Sequence, residues 1–539
     1  MRRKNLLDRF LGLARLSVLG FTAACTGGGS SGAMDSESLS ASGQDTDRST
    51  SSESESGSES GSESGSEDQS NGSVEDSETV VDTEITPDSC VVYVSLDGVS
   101  SDGAGQAWDS PLNDLQDAID LAALKIAGGA ERCEVWVAAG VYYIFRTSRN
   151  DTLRMRSQVD LYGGFGQGEL LRSQRDPVAN RTVLDGHRTA TDYANRVLHV
   201  LKGADDAVLD GFIVTGGYAA VSYDPADRDN YGGGMLCEKA SPTVRGSWFV
   251  ENEAMWDGAV ALFAESAPRF QDCVFSDNLT GGMFALNSSP IVERCVFSGN
   301  RVSGLVANGK LAAPVVTSSV FAGNRDFGVE SWYRAVVHLE HCTIAGNFSN
   351  PDSPTHGGGV YAMEGTVTLR SSIVFGNAPQ DFLAEDGGVA SATYSLVDGL
   401  AGQGNFGDDP RFVGLPFEQG KTWDDVSFDS ETGTTKLVDE DADFDSTAIG
   451  GRFLQPNADS RLPGGPIWVP VASATSDALT VVGDVSWLAA AGDEYVLHDL
   501  NLGQGSPALG AADPQGSGPL DVTGKPRDDS PDLGAYERE

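Results

Sequence analysis

Basic side chains are scarce in this sequence. Its 539 residues carry 36 lysines and arginines against 79 aspartates and glutamates, a formal net charge of −43. Such a surface repels polyanions, which excludes nucleic acid as a partner. Aromatics make up only 8% while glycines number 66, a balance that argues against a helical bundle and for a turn-rich fold. The apolar run near the N-terminus, Leu16 to Ala24, is too short to span a bilayer as a stable anchor. The seven cysteines show no paired spacing of the kind that holds zinc. What is present is acid, unevenly placed. Residues 1–25 sum to +4 and residues 26–90 to −15, which leaves −32 for residues 91–539.

Residues 1–24 have a basic start, a short apolar run and small residues before Cys25, the layout of a secretory signal peptide. Thr22-Ala23-Ala24-Cys25 resembles a bacterial lipobox. That resemblance implies that Cys25 is diacylated and ties the chain to a membrane; ordinary cleavage nearby, with Cys25 lost or left as a free thiol, is the alternative. Thr26 is not the aspartate associated with inner-membrane retention in enteric lipoproteins, so the resemblance implies the outer membrane, with the folded part facing outward or the periplasm. Residues 25–90 then form a linker. Its Ser-Glu-Ser-Gly tract from Ser52 to Glu67 has no apolar periodicity and cannot bury enough surface to fold. A flexible chain of about 60 residues spans roughly 45 Å, more with self-repulsion. Cys90 precedes Val91-Val92-Tyr93-Val94 and Cys133 precedes Glu134-Val135-Trp136-Val137. Both stand at the same edge of short apolar strands, so a disulfide between them requires only that the strands be neighbours; two independent thiols are the alternative.

From Phe249 one pattern recurs: Phe249-Val-Glu-Asn252, Phe275-Ser-Asp-Asn278, Phe297-Ser-Gly-Asn300, Phe321-Ala-Gly-Asn324, Ile344-Ala-Gly-Asn347 and Val374-Phe-Gly-Asn377. The asparagines stand 26, 22, 24, 23 and 30 residues apart, the last spacing lengthened by an insert from Pro351 to Gly357. Two residues before each Phe, Ile or Val comes Ser247, Cys273, Cys295, Ser319, Cys342 or Ser372, and three before that an apolar residue, from Val244 to Leu369. Small-residue turns such as Gly233-Gly234-Met235 and Gly281-Gly282-Met283 open each unit. A unit this short cannot close a core alone, but stacked units can, at about 4.8 Å per rung. Stacking puts Asn252, Asn278, Asn300, Asn324, Asn347 and Asn377 in one column, bonding the next coil's backbone and side chain. Cys273, Cys295 and Cys342 read as buried members of a small-residue ladder.

The pattern resembles right-handed parallel β-helix proteins of the pectin-lyase-like group, and its Gly-Gly-apolar and Phe-x-x-Asn elements resemble polymorphic outer membrane protein repeats. The resemblance covers roughly residues 91–415 and implies an all-β solenoid. Ser110-Pro111-Leu112 starts an expected capping helix with Leu112, Leu115, Ile119, Ala122 and Ile126 on one face, stopped by Gly128-Gly129. Residues 421–500 read as a small inserted β domain. In residues 501–539, Gly505-Ser-Pro-Ala-Leu-Gly510 and Asp532-Leu-Gly-Ala-Tyr-Glu537 resemble the closing motif of the choice-of-anchor group of surface β-helices. That motif is expected to cap the solenoid, with Arg527 and Asp521 as a structural pair, and its position near the end of the chain leaves Cys25 as the expected anchor.

Enzymes occur on this fold, so catalysis is admissible by analogy alone. A lyase needs a base and a cation for the uronate carboxylate, and a hydrolase needs two carboxylates across the bond. Alternation turns two columns outward: Leu236, Ala261, Phe284, Val306, Glu330, Tyr361, and Glu238, Phe263, Leu286, Asn308, Trp332, Met363. This face is mostly apolar and aromatic, with no stacked acid pair and no lysine or arginine. Phe263, Phe284, Trp332 and Tyr361 are therefore candidate sugar-stacking rings, unless an insert or the C-terminal part covers them. No catalytic residue and no metal ligand is assigned. Asp439, Asp441, Asp443 and Asp445 alternate, but without the glycine and glutamate of a calcium loop a solvated acidic edge competes with calcium binding. The reading is a non-catalytic, lipid-anchored surface β-helix for adhesion or carbohydrate contact. Its alternatives are a polysaccharide lyase or glycoside hydrolase using the inserts at residues 223–232 or 350–357, and an envelope spacer.

Overall fold

The computed structural model describes residues 90–538 apart from 101–103, 191, 193, 350–355, 445–448, 460–465, 517 and 519; Cys25 and the linker lie outside the described residues. Each repeat supplies three short strands. In one coil these are Thr243–Arg245, Trp248–Val250 and Val260–Phe263, after which Arg269–Gln271 opens the next coil in register with Thr243–Arg245. Parallel pairing of successive coils builds sheets of eleven, ten and nine strands among the described residues, a parallel β-helix of about ten coils. The strands are short because the corners are tight. Asp272, Arg294, Ser318, His341 and Ser371 all hold φ between 46° and 55° at the same corner. Each such residue costs about 1 kcal/mol, offset by the pairing it permits on both sides.

Inward residues stack by type. Phe249, Phe275, Phe297 and Phe321 lie nearly parallel at centroid distances of 5.2, 4.4 and 4.8 Å. Offset stacks of this kind add roughly 0.5–1.5 kcal/mol per pair beyond area burial. Cys237, Cys273, Cys295 and Cys342 are buried free thiols. The asparagine column is continuous. Asn300 donates Nδ2 to Asn324 Oδ1 in the next coil at 2.8 Å and to Phe275 O in the preceding coil at 3.0 Å. The backbone carbonyl partners thus lie in the preceding coil, whereas the sequence pattern pointed to the next. The column ends where Asn377 gives both its N–H and its Nδ2 to Asp381 Oδ1, at 2.9 and 2.8 Å.

At the N-terminal end Cys90–Val94 pairs with Cys133–Ala138, and Cys90 and Cys133 form a disulfide with Cα atoms 4.6 Å apart. The helix runs Leu115–Ala127 and buries Leu115, Ala118, Ile119 and Ala122. Its N-cap is Asp114, whose carboxylate accepts from Asp117 N at 3.0 Å, not Ser110. Leu112 instead bridges Val94 as extended chain, which holds the serine-proline segment outside the helix.

Residues 412–502 contribute a seven-stranded antiparallel sheet, which begins before residue 421 because Phe412–Thr422 pairs with Glu494–Leu502. It has its own core, in which Trp423 stacks on Tyr495 at 3.9 Å. The closing motif does not cap the end of the solenoid. It runs along the flank of the coils, where Gly534 N bonds Ser371 O at 2.9 Å, Ala535 N bonds Thr343 Oγ1 at 2.9 Å and Ala535 and Tyr536 pack on Val320, Ala322 and Ala345. Arg527 pairs with Glu537 at 2.9 Å, while Asp521 accepts from the backbone of Thr523, Lys525 and Glu537.

Candidate functional site

The nine-stranded sheet carries the outward columns in the expected register, Leu236, Ala261, Phe284, Val306, Glu330 and Tyr361 side by side. Its rings, however, are not an open platform. Phe263, Phe284 and Tyr361 are 0%, 4% and 2% exposed, and only Trp332 of the four is partly accessible. The segment from Val221 to Gly232 forms a roof over this face. Tyr231 stacks on Phe284 at 5.2 Å and meets Phe263 edge-on at 5.3 Å, while the Arg228 guanidinium lies 4.0 Å from the Phe263 ring centre. The faces of Phe263, Phe284 and Tyr361 expected to meet a sugar are thus occupied by the protein's own side chains.

The roof folds around one buried amide. Asn230 accepts from Val221 N and Ser222 N at 2.8 and 3.0 Å and donates to Asp224 O and Ser222 Oγ at 2.9 and 3.0 Å. It is latched by charge. Buried His199 meets Asp229 Oδ1 at 3.1 Å through Nε2 and Gly232 O at 3.0 Å through Nδ1, and Lys202 Nζ stands 3.8 Å from Asp229. The His199 hydrogen bond, with the His199 and Lys202 charges, holds the Asp229 carboxyl below its ordinary value. The insert at residues 223–232 is thereby a cover. Of the second insert, 350–357, only His356 and Gly357 are described; the His356 ring contacts Phe327 and Tyr361 edge-on.

Two buried carboxylates, Asp257 and Glu330, stand along this sheet in coils three apart, and the charge of Glu330 reaches Asp257. Asp257, in the turn before Val260–Phe263, accepts from Gly258 N at 2.7 Å and Gly281 N at 3.2 Å, reaching one coil forward. Glu330 reaches back to the Ser303 hydroxyl and accepts from Trp332 Nε1 at 2.7 Å. Burial raises both carboxyls to about 7, and for Asp257 the charge of Glu330 adds to the rise. Beyond them, Tyr361 donates its hydroxyl to exposed Glu385 at 2.8 Å, and burial together with Glu385 keeps that phenol protonated far above its usual value. Such groups can donate and accept protons near neutrality, but each is already engaged inside the fold.

Elsewhere on the coils, His338 is exposed and bonds Thr368, and His341 is buried near Arg527. Asp439 turns into its own sheet, where it accepts from the Tyr495 hydroxyl at 2.9 Å; Asp445 lies outside the described residues. Among the described residues no three His, Cys, Asp or Glu side chains are grouped to hold a metal ion.

Residues 200–347 match a family model described as the right handed beta helix region. No curated protein matches the chain. Among solved structures, the pectate lyase Pel9A is similar over 83% of this chain and 96% of its own, at 14% identity and a TM-score of 0.43. A rhamnogalacturonan lyase is similar over 57% of this chain and 73% of its own, at 14% identity and a TM-score of 0.33. The tailspike gp49 of Acinetobacter baumannii bacteriophage Fri1, a capsular polysaccharide depolymerase, is similar over 76% and 83%, at 12% identity and a TM-score of 0.27. The family match falls on the coils that build the three parallel sheets, and so the molecule is a right-handed parallel β-helix.

Proposed function

We propose that this chain is a non-catalytic, exported β-helix, held at the outer membrane through lipidated Cys25, set off from it by the acidic linker, and contacting carbohydrate with its flank. The observation that supports the reading is the state of the long face. Its rings are stacked on one another and its buried carboxyls are bonded to Gly258, Gly281, Ser303 and Trp332, so the face is a rigid surface in place of an open reaction centre. At its open margin, partly accessible Trp332 and exposed Glu385 combine an aromatic ring with a hydroxyl acceptor, the two features a sugar ring uses. On a glycan array the purified full chain should bind, and W332A should weaken that binding. Failure to bind any glycan or cell surface overturns the reading.

One observation favours a second reading. Buried carboxyls raised towards neutrality serve acid-base catalysis in glycan-cleaving sites, and Asp257 and Glu330 are both buried and raised, with the charge of Glu330 adding to the rise at Asp257. Release of reducing or unsaturated ends from a polysaccharide panel, lost in E330Q, would establish an enzyme and displace the first reading.

A further inference from the structure

One column of small buried residues recurs at the same corner of successive coils, Ser247, Cys273, Cys295, Ser319, Cys342 and Ser372. Its serines make two bonds each. Ser319 Oγ donates to Thr317 O at 2.8 Å and accepts from Cys295 N in the preceding coil at 3.0 Å, and Ser372 Oγ donates to Arg370 O at 2.8 Å and accepts from Cys342 N at 3.1 Å. The cysteines keep the first bond, Cys273 Sγ to Gln271 O and Cys295 Sγ to Glu293 O, both at 3.3 Å. Sulfur is a weak acceptor, so the second bond is worth less from a cysteine than from a serine. Cys342 stands between two serines, and Cys237 lies on another sheet opposite Leu262. Cys273 and Cys295 are the two free thiols, among the described residues, that follow one another in a column.

These two thiols face each other across one rung. The strands before them pair Gln271 with Glu293, the strands after them pair Val274 with Val296, and Cys295 Sγ lies within hydrogen-bond reach of the Cys273 thiol and N–H. A rung spacing of about 4.8 Å falls inside the Cα separation of roughly 4.4–6.8 Å that a disulfide spans. The chain already bridges two cysteines in this relation, since Cys90 and Cys133 are register partners on neighbouring parallel strands with Cα atoms 4.6 Å apart. We propose that Cys273 and Cys295 are a second cross-coil disulfide site, closed when the coils wind in the presence of a disulfide oxidant and left open when they wind without one. In the unwound chain one cysteine loses its proton, and its thiolate attacks the oxidant's S–S bond and releases one oxidant sulfur as a thiol. The thiolate of the second cysteine then attacks the mixed disulfide and releases the other. Two electrons and two protons pass from the cysteines to the oxidant, and one S–S bond replaces another. Burial sets the timing. In the folded coil both thiols are 0% exposed, so an oxidant has no access, and burial holds the Cys295 thiol protonated well above its ordinary value. The free thiols described above are the open state, and the core retains whichever state it had when the coils wound.

The test is refolding of the full chain from denaturant and reductant, once with dithiothreitol kept present and once in a glutathione buffer oxidising enough to close Cys90–Cys133, whose bridge reports that the oxidant works. The folded fraction is taken from a sizing column, its free thiols are alkylated in denaturant, and its peptides are read by mass spectrometry. After oxidative refolding most molecules are expected to yield a peptide pair joined through Cys273 and Cys295, with Cys237 and Cys342 alkylated. After refolding in dithiothreitol all four should be alkylated, and glutathione disulfide added to that folded chain should leave them so. C273S and C295S should each remove the joined pair and leave the remaining cysteine alkylated. Alkylation of both Cys273 and Cys295 in molecules whose Cys90–Cys133 bridge is closed overturns the site, as does linkage of either to Cys237 or Cys342, or a joined pair found only outside the folded fraction. Closure of the pair in the already folded chain overturns the timing and supports the site.

Discussion

Asp257 and Glu330 link stability to pH in a direction opposite to that of most carboxylates. Burial raises both to about 7. Below about pH 4 the folded and unfolded chains both hold these protons, and the pair costs nothing. Between about pH 4 and 7 the unfolded chain releases protons that the folded chain keeps, so stability falls as pH rises, and the fall ends above 7. E330Q removes one such group. It should resist denaturant better than the wild type at pH 8, by up to about 3 kcal/mol, and differ little at pH 4. Urea midpoints at both pH values decide; an equal shift at each would mean that Glu330 is not the titrating group. His341 and His498, lowered by burial to about 3 and about 4, act the other way and cost stability as pH falls below about 6.5. The difference between variant and wild type is therefore the informative quantity. The ladder residues were legible because each repeats in a column. Asp257 was not: its register column continues with Thr280 and Val302, neither acidic, and Glu330 lies three coils further on.

The docking of the seven-stranded sheet shows how an element selects residues on its neighbour. The residue before each ladder asparagine has positive φ in every coil, 53° at Glu251, 45° at Asp277, and 62°, 62° and 64° at Gly299, Gly323 and Gly346. Backbone conformation alone admits glutamate and aspartate there. Glycine stands where Ile467 and Trp468 lie against the coil; a methyl group added at Gly323 would come 2.5 Å from Trp468 Cγ. At Gly376, φ is 70° and nothing lies within 4 Å of the added methyl. G323A should therefore cost roughly 2–3 kcal/mol through overpacking, and G376A about 1 kcal/mol through backbone strain alone. Equal losses in urea denaturation would show that Trp468 is not seated there in solution. Short strands and tight turns were readable from the repeat, whereas this contact was not, since Trp468 lies far along the chain from the glycines it covers. The roof was foreseen only as one way of covering the rings, because nothing periodic says where an insert folds.

At the scale of the molecule, a solenoid holds together by nearest-neighbour contacts, so local losses stay local. The Cys90–Cys133 bridge closes a 43-residue separation at the N-terminal end. Reducing it should cost up to about 4 kcal/mol, and chiefly there. Hydrogen exchange after reduction is expected to speed up in residues 90–165 and stay slow in residues 244–375; uniform loss of protection would mean that the coils unfold as one body. The asparagine column sets a limit of another kind. Each asparagine receives on an oxygen and passes on through a nitrogen, so the column has a direction and every rung needs a successor of the same chemistry. Asp381 receives in the same way, but its side chain has an oxygen where the relay needs a donor. An amide-to-acid change of one atom thus acts as a terminator: a duplicated coil could be spliced among the asparagine rungs without breaking the relay, but not after Asp381.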